Sequence, residues 1–376
     1  LALRARMRGL GHFDHRPAPN LAELLDLVAL GTVADVVPLD ANNRILVQQG
    51  LARIRAGRTR PGIRALVETG RRSVSQLVAS DLGFIVGPRL NAAGRMDDMR
   101  IGIECLLAPD QTLAQQRAQR LEELNQKRRQ VEQGMQQDVA QQLQTLDLQQ
   151  LPFGLCVYQP DWHQGVTGIL AARLKEKHHR PVIAFADAGD GLLKGSARSV
   201  AGLHIRDALD AVATRNPGLI SKFGGHAMAA GLTLASEHFE RFSAAFDACV
   251  REHLSEADLQ GMWVTDGELA ENEFQLELAR LLRMAGPWGQ QFPEPSFHGR
   301  FRLLEQRLVG ERHLKLVLQP EQGQVSVEAI AFNVDLHQWP NPTIRLADMA
   351  YRLDVNEFRG RESLQLMVEH LVAVGE

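Results

Sequence analysis

The feature that most limits what this chain can become lies before its midpoint. From residue 111 to about 147 the sequence is rich in glutamine, has no proline and one glycine, Gly134, and sets Leu121, Leu124, Val131, Met135, Val139 and Leu143 mostly three or four apart. That spacing gathers the apolar side chains on one helical face, so a single long helix is predicted. A coiled-coil partner would use such a face, but the stripe is thin and we read the helix as a connector. A connector of this length divides the 376 residues into parts that must each build a core of their own.

Residues 20 to about 110 read as mixed α/β. The apolar run Leu24 to Leu39 is interrupted by Asp26, Gly31, Thr32 and Asp35 and stopped by Pro38. From Arg44 to Arg72 there are eight arginines and one acid, Glu68, a local charge of +7. Beyond the connector, Pro152 opens a second α/β region. Apolar segments Leu155 to Tyr158 and Pro181 to Ala186 flank a helix-like stretch, Val166 to Lys177, which reads as strand, crossover helix, strand. Helical pattern resumes from Glu237 to Leu254. After an acidic stretch come five alternating segments, Phe301 to Val309, His313 to Leu318, Val325 to Phe332, Ala347 to Val355 and Ser363 to Glu369. Five short strands in so few residues suggest a small β-barrel of the OB-fold type.

Composition narrows the function. Forty-two basic against forty-five acidic residues give a net charge of −3, so any polyanion site has to be local. Hydrophobic residues at 44% and charged ones at 23% exclude a disordered or collagenous chain, and no run approaches the ~20 apolar residues of a spanning helix. Cys105, Cys156 and Cys249 lie far apart without CxxC spacing, which argues against a zinc ribbon or a disulfide framework and for a cytoplasmic protein. No Walker loop, HExxH or GxSxG is present, so ATP-driven and zinc-protease chemistry are unsupported. The chain opens Leu-Ala-Leu-Arg without a methionine and is expected to be a fragment of something longer.

Several residues carry candidate chemistry. Asp35 sits among Val33, Ala34, Val36 and Val37, where a lone carboxylate needs a donor, a cation or a metal; on residue type alone Thr32-x-x-Asp35 reads rather as a capping box at a helix start than as a metal ligand. Gly87 to Arg95 reads as a glycine-bounded loop presenting Arg89, Asn91 and Arg95, either to phosphate oxygens or to Asp97 and Asp98. His163 and Gly165 stand where a predicted strand meets a predicted helix, the usual seat of an anion at a helix N-terminus. Two further small-residue loops follow, one with Ser196, Arg198 and Ser199, the other with Gly224, Gly225 and His226. Three such loops in one α/β unit favour an anion pocket. Among four tryptophans only Trp162, beside His163, is placed to stack a base.

Together these stretches resemble the DHH phosphoesterase superfamily and, within it, the RecJ family of single-strand DNA exonucleases. The matching segments are Val28-Ala-Leu-Gly-Thr-Val-Ala-Asp-Val-Val-Pro-Leu39, Gly87-Pro-Arg-Leu-Asn-Ala-Ala-Gly-Arg95, Trp162-His-Gln-Gly-Val-Thr-Gly-Ile169, Gly195-Ser-Ala-Arg-Ser199 and Phe223-Gly-Gly-His-Ala-Met-Ala-Ala-Gly231. The resemblance implies the C-terminal part of a DHH domain over 1–110, a connector helix over 111–150, a substrate-binding α/β DHHA1 domain over 151–255 and an OB-fold domain over 256–376. It further implies 5′ to 3′ degradation of single-stranded DNA in repair and recombination, a two-metal Mn²⁺ or Mg²⁺ centre, and a helicase and a single-strand-binding protein as partners. By the same resemblance Asp35 is a catalytic metal ligand, and Arg89, Asn91, Arg95, His163, Gly165, Ser196, Arg198, Ser199, Gly224, Gly225 and His226 grip the terminal nucleotide. The family's other ligand motifs are missing, since Asp14-His15-Arg16 is not Asp-His-His. Two ions roughly 3.5 to 4 Å apart cannot be held by one carboxylate, so most ligands are expected upstream of this chain. The competing expectations are a non-catalytic single-strand-binding scaffold and a phosphodiesterase acting on short oligonucleotides or cyclic dinucleotides.

Overall fold

The computed structural model describes residues 2–144, 151–358 and 360–374. They form two compact units, each assembled from separated stretches of sequence: one from 1–88, 105–118 and 263–376, the other from 89–104 and 119–262.

The first unit begins with helices α1 (Ala2–Gly9), α2 (Leu25–Ala34), α3 (Ala41–Arg55), α4 (Pro61–Thr69) and the single turn α5 (Ala79–Asp81). Among the described residues before 110 there is no strand, so the mixed α/β expectation for 20–110 is corrected to helices alone. Helix α2, which buries Ala29 and Leu30, packs on α3, which buries Val47, Leu51 and Ile54. The two backbones approach closely because position 50 is glycine: a Cβ there would lie 2.2 Å from the Leu25 carbonyl oxygen. Asp26, 1% exposed, ties α2 to the start of α4. Its carboxylate accepts from the Arg60 guanidinium, the Arg60 backbone N–H at 3.0 Å and the Thr59 hydroxyl at 3.1 Å, which compensates a buried charge.

The five expected C-terminal strands are all present. With α6 (Gly87–Met96), α7 (Arg100–Leu106), α8 (Gln111–Gln144), α9 (Gln164–His178), α10 (Ile205–Arg215), α11 (Phe239–His253) and α12 (Leu276–Ala285) numbered in chain order, the barrel strands are β6 (Phe297–Val309), β7 (His313–Pro320), β8 (Val327–Ala331), β9 (Leu346–Phe358) and β10 (Arg361–Ala373). They close in the order β10-β8-β7-β6-β9, with β8 and β10 parallel. Alternation along each strand points Phe301, Leu314, Leu316, Leu318, Tyr351, Leu353 and Leu366 into one core, which Ala279 of α12 joins.

The second unit is a sheet of β1 (Leu155–Tyr158), β2 (Val182–Gly189), β3 (Leu192–Arg198), β4 (Lys222–Gly225) and β5 (Ala229–Ala235), ordered β1-β2-β3-β5-β4. Strands β1 and β2 are parallel and α9 is their crossover, as the sequence predicts. One face packs on α10 and α11 through Ile183, Phe185, Leu193, Ala197, Leu232, Phe242 and Phe246. On the other face α9 and α8 cover Val182, Ala184 and Ala186 of β2. The long helix stands as predicted through Gln144; residues 145–147 of that expectation lie outside the described residues.

Candidate anion site on the open half of the sheet

Beyond β2 the second face of the sheet is open. Register places Ser196 beside Gly231 and Gly231 beside Gly224, so a row of small residues crosses β3, β5 and β4. Alternation brings Lys194, Thr233 and Lys222 into the next row and Arg198 and Ala229 into the row on the other side. Gly224, Gly231, Lys194 and Lys222 are exposed. The result is a flat floor with almost no side-chain relief, flanked by cations.

The N-terminus of α9 borders this floor. His163 is its N-cap, with the ring Nδ1 accepting from the Gly165 backbone N–H at 3.1 Å. In the neutral ring that bond puts the proton on Nε2, and the exposed side chain can donate from there. Thr167 joins helix to strand through a 3.0 Å hydroxyl–hydroxyl hydrogen bond with Ser196. Gly168 leaves room for Arg198, whose Nη2 would lie 3.0 Å from a Cβ at that position. Arg95, from the last turn of α6, donates to the Gly165 carbonyl at 3.3 Å. Gly165 is needed for this approach, because a Cβ would stand 2.4 Å from the Arg95 carbonyl oxygen.

Electrostatically the site is unbalanced. Arg95 and Arg198 are both half-buried, and neither is paired with a carboxylate among the described residues; their hydrogen bonds go to the carbonyls of Gly165 and Ala197. Burial, and then the neighbouring charge of Arg95, pushes the Arg198 guanidinium below its ordinary pKa. Two desolvated guanidinium groups beside a helix N-terminus favour a bound anion.

The structure therefore brings together Arg95, His163, Gly165, Ser196, Arg198 and Gly224, with Gly225 and His226 continuing β4. Gly225 has φ +151° and its Cβ position is filled by Ala229 and Ala230, while the exposed His226 donates its backbone N–H to the Ala229 carbonyl. Sequence reasoning missed Lys194, Lys222 and Thr167; the alternation of Lys194, Ser196 and Arg198 along one strand was the available signal.

Other expectations are corrected. Gly87 to Arg95 is not a loop but helix α6. On it, Asn91 is exposed, whereas Arg89 is 6% exposed and ion-paired with Glu122 at 2.6 Å. The suggested acids are used elsewhere, Asp97 by Arg120 and Asp98 by Arg100. Ser199 is 1% exposed and spends its hydroxyl on the Leu203 carbonyl. Trp162 is buried and cannot stack a base from solvent. Asp35 is exposed and is the C-cap of α2, so it is neither desolvated among valines nor part of a capping box at a helix start. Among the described residues no group of three or more His, Cys, Asp or Glu could hold a metal ion, and Asp35 alone does not fit a two-metal centre.

The basic stretch is largely occupied by the fold. Arg60 and Arg72 pair with Asp26 and Asp81, Arg64 caps the Gly57 carbonyl, and Arg44 stacks on the Phe292 ring at 4.1 Å. Arg55 donates to the Leu77 carbonyl and, with Arg72, Arg283 and Trp288, lines a cavity of about 280 Å³ within the first unit. No helix among the described residues is long and apolar enough to cross a membrane.

Two family models match parts of the chain. The family model of the DHHA1 domain matches residues 151–252, and that of the RecJ OB domain matches 265–370. The chain is 60% identical over 375 residues to the single-stranded-DNA-specific exonuclease RecJ of Dickeya dadantii and 57% identical over 375 residues to that of Escherichia coli, with 99% of this chain and 65% of each relative covered. It thus spans just under two thirds of the length of these relatives. The crystal structure of RecJ in complex with Mg²⁺ from Thermus thermophilus is similar over 100% of this chain and 55% of that one, with a TM-score of 0.78 and 29% identity. A second structure of the same protein holds Mn²⁺.

Proposed function

The chain belongs to the RecJ family, and from that premise we propose that it is the strand-gripping part of a single-stranded-DNA exonuclease that hydrolyses phosphodiesters from the 5′ end with the help of divalent metal ions. The carrying observation is the pair of half-buried guanidinium groups, Arg95 and Arg198, left without carboxylates beside the α9 N-terminus.

In this reading each residue has a distinct task. Arg198 and Arg95 neutralise the terminal phosphate, and His163 donates from Nε2. The Ser196 hydroxyl, already paired with Thr167, offers a further polar contact at the edge of the glycine floor. The floor itself lets sugar and base lie against backbone without meeting a Cβ. Its open character supports a long strand over a cyclic dinucleotide, which an enclosed pocket would suit better. Asp35 would supply one ligand to the metal centre, and the described residues cannot complete that centre. A helicase and a single-strand-binding protein remain the expected partners of such a nuclease.

Binding and cutting separate the parts of this proposal. Fluorescence anisotropy should show 5′-phosphorylated single strands binding more tightly than 5′-hydroxyl ones. Arg198→Gln should cost ~10- to 150-fold for the phosphorylated strand, the loss of a hydrogen bond to a charged group at about 1.5–3 kcal/mol. With Mn²⁺ the chain by itself should bind without releasing nucleotides. Cleavage abolished by Asp35→Ala would show that a complete metal centre lies within these residues and that this assignment is wrong.

A further inference from the structure

We propose that Asp138, on the long helix α8, is a positioning residue for the anion site: its carboxylate holds Trp162 and through it the loop that carries His163 and Gly165. The inference rests on reading that site as a phosphate grip.

The geometry is a short chain of contacts. Trp162 is 5% exposed and packs among Met135 and Val139 of α8 and Val166 and Leu170 of α9, with the partly buried Met96 of α6 against the same cluster. The cluster that holds this ring thus draws on three helices. Its indole N–H points to α8 and donates to Asp138 Oδ2 at 3.0 Å. A buried indole N–H has no other way to be satisfied than by an acceptor brought to it. The half-buried Asp138 carboxylate makes no ion pair among the described residues, and the Trp162 indole N–H is the donor it accepts from.

What Trp162 fixes is the site itself. Its backbone N–H closes a turn onto the Gln159 carbonyl at 3.3 Å. The next residue is His163, whose ring caps α9, and two residues later comes the Gly165 carbonyl that receives Arg95. A ring that shifts or rotates in its socket moves both the Nε2 donor and the anchor of one guanidinium. Helix α8 thereby sets the spacing between α6 and the α9 N-terminus.

The test compares, in the full chain, the ratio of dissociation constants for 5′-hydroxyl and 5′-phosphorylated single strands, together with the melting temperature. Asp138→Ala and Trp162→Phe should each lower that ratio by about 3- to 10-fold, and the double variant should lower it no further. Asp138→Asn keeps an oxygen that accepts the indole N–H and should retain most of the ratio. Val250→Ala, in the core on the opposite face of the sheet, should lower the melting temperature without touching the ratio. A wild-type ratio of one overturns the phosphate-grip reading and this inference with it. A clear wild-type ratio that Asp138→Ala leaves unchanged, or a ratio that follows the melting temperature in every variant including Val250→Ala, overturns the role of Asp138 alone.

Discussion

Gly168→Ala should make the protein more stable and a poorer binder. Gly168 is the fifth residue of α9, and alanine in a helix interior is favoured over glycine by about 0.5–1 kcal/mol. The new methyl group would meet Arg198 Nη2 at 3.0 Å and Cζ at 3.7 Å, the far end of a flexible side chain rather than backbone. Ordinary contact needs roughly 3.5–4 Å, so the guanidinium retreats by about half an ångström while the helix keeps its gain. For a unit of this size the melting temperature should rise by about 2–3 °C. A displacement of half an ångström is enough to spoil a charge-assisted hydrogen bond. If it removes about half of the ~1.5–3 kcal/mol such a bond supplies, affinity for a 5′-phosphorylated strand falls about 4- to 12-fold. Thermal melting followed by dye or circular dichroism, and anisotropy with phosphorylated and hydroxyl strands, read the two effects separately. Unchanged affinity would mean that Arg198 does not reach the ligand from beside Gly168. A lower melting temperature would mean that the close approach is packing the fold depends on, and the reasoning about a yielding side chain would fail.

Two other outcomes follow from burial. His178 is held at a pKa of about 4, chiefly by burial and then by the charges of Lys177, Arg180 and His179; an unfolded histidine titrates near 6.5. The unfolded chain therefore takes up the proton first, and stability present above about pH 6.5 is lost as pH falls toward 4. After discounting for partial exposure the loss should be about 1–2 kcal/mol; urea midpoints at pH 7 and pH 4.5 measure it, and His178→Gln should flatten the difference. Asp26→Ala strips the buried acceptor from Arg60 and Thr59 and should cost about 3–5 kcal/mol, seen as faster hydrogen exchange across α2 and α4. Unaltered protection there would show the carboxylate to be idle.

Much of this arrangement is written in local pattern. The barrel strands announce themselves because alternate residues such as Leu314, Leu316 and Leu318 all point inward, and the β1–α9–β2 crossover follows from two apolar runs around a helical one. Helix α6 is illegible for the opposite reason. Gly87, Pro88 and Gly94 look like loop residues, yet the helical run passes unbroken from α5 through a π-helical turn, Leu82–Val86, directly ahead of Pro88, and such a turn loosens the hydrogen-bond ladder where proline would otherwise break it. A Cβ at Gly87 would lie 3.2 Å from the Ala34 Cβ, so that glycine serves close packing rather than a turn. Asp35 misleads because valines on both sides suggest burial, whereas the helix ends one residue earlier and exposes Val36 and Val37 as well. Trp162 looks like a stacking platform until Asp138, twenty-four residues away in sequence, is found beneath its indole. No local pattern specifies a contact at that separation.

The division of the chain carries a consequence for the order in which it can be made. The unit that begins at α1 is completed by the barrel, and the barrel is closed by its last strand, whose Gln365 to Val368 pair with β8 while its full length pairs with β9. Until β10 leaves the ribosome, β8 and β9 each present an unsatisfied edge, and helices α1 to α5 wait for the strands that complete their unit. The other unit, from 89–104 and 119–262, has its sheet and both helical layers already synthesised by then. It can fold during translation, whereas the barrel's long-range pairings must wait. A chain cut short before Arg361 would carry a finished anion site and an open barrel.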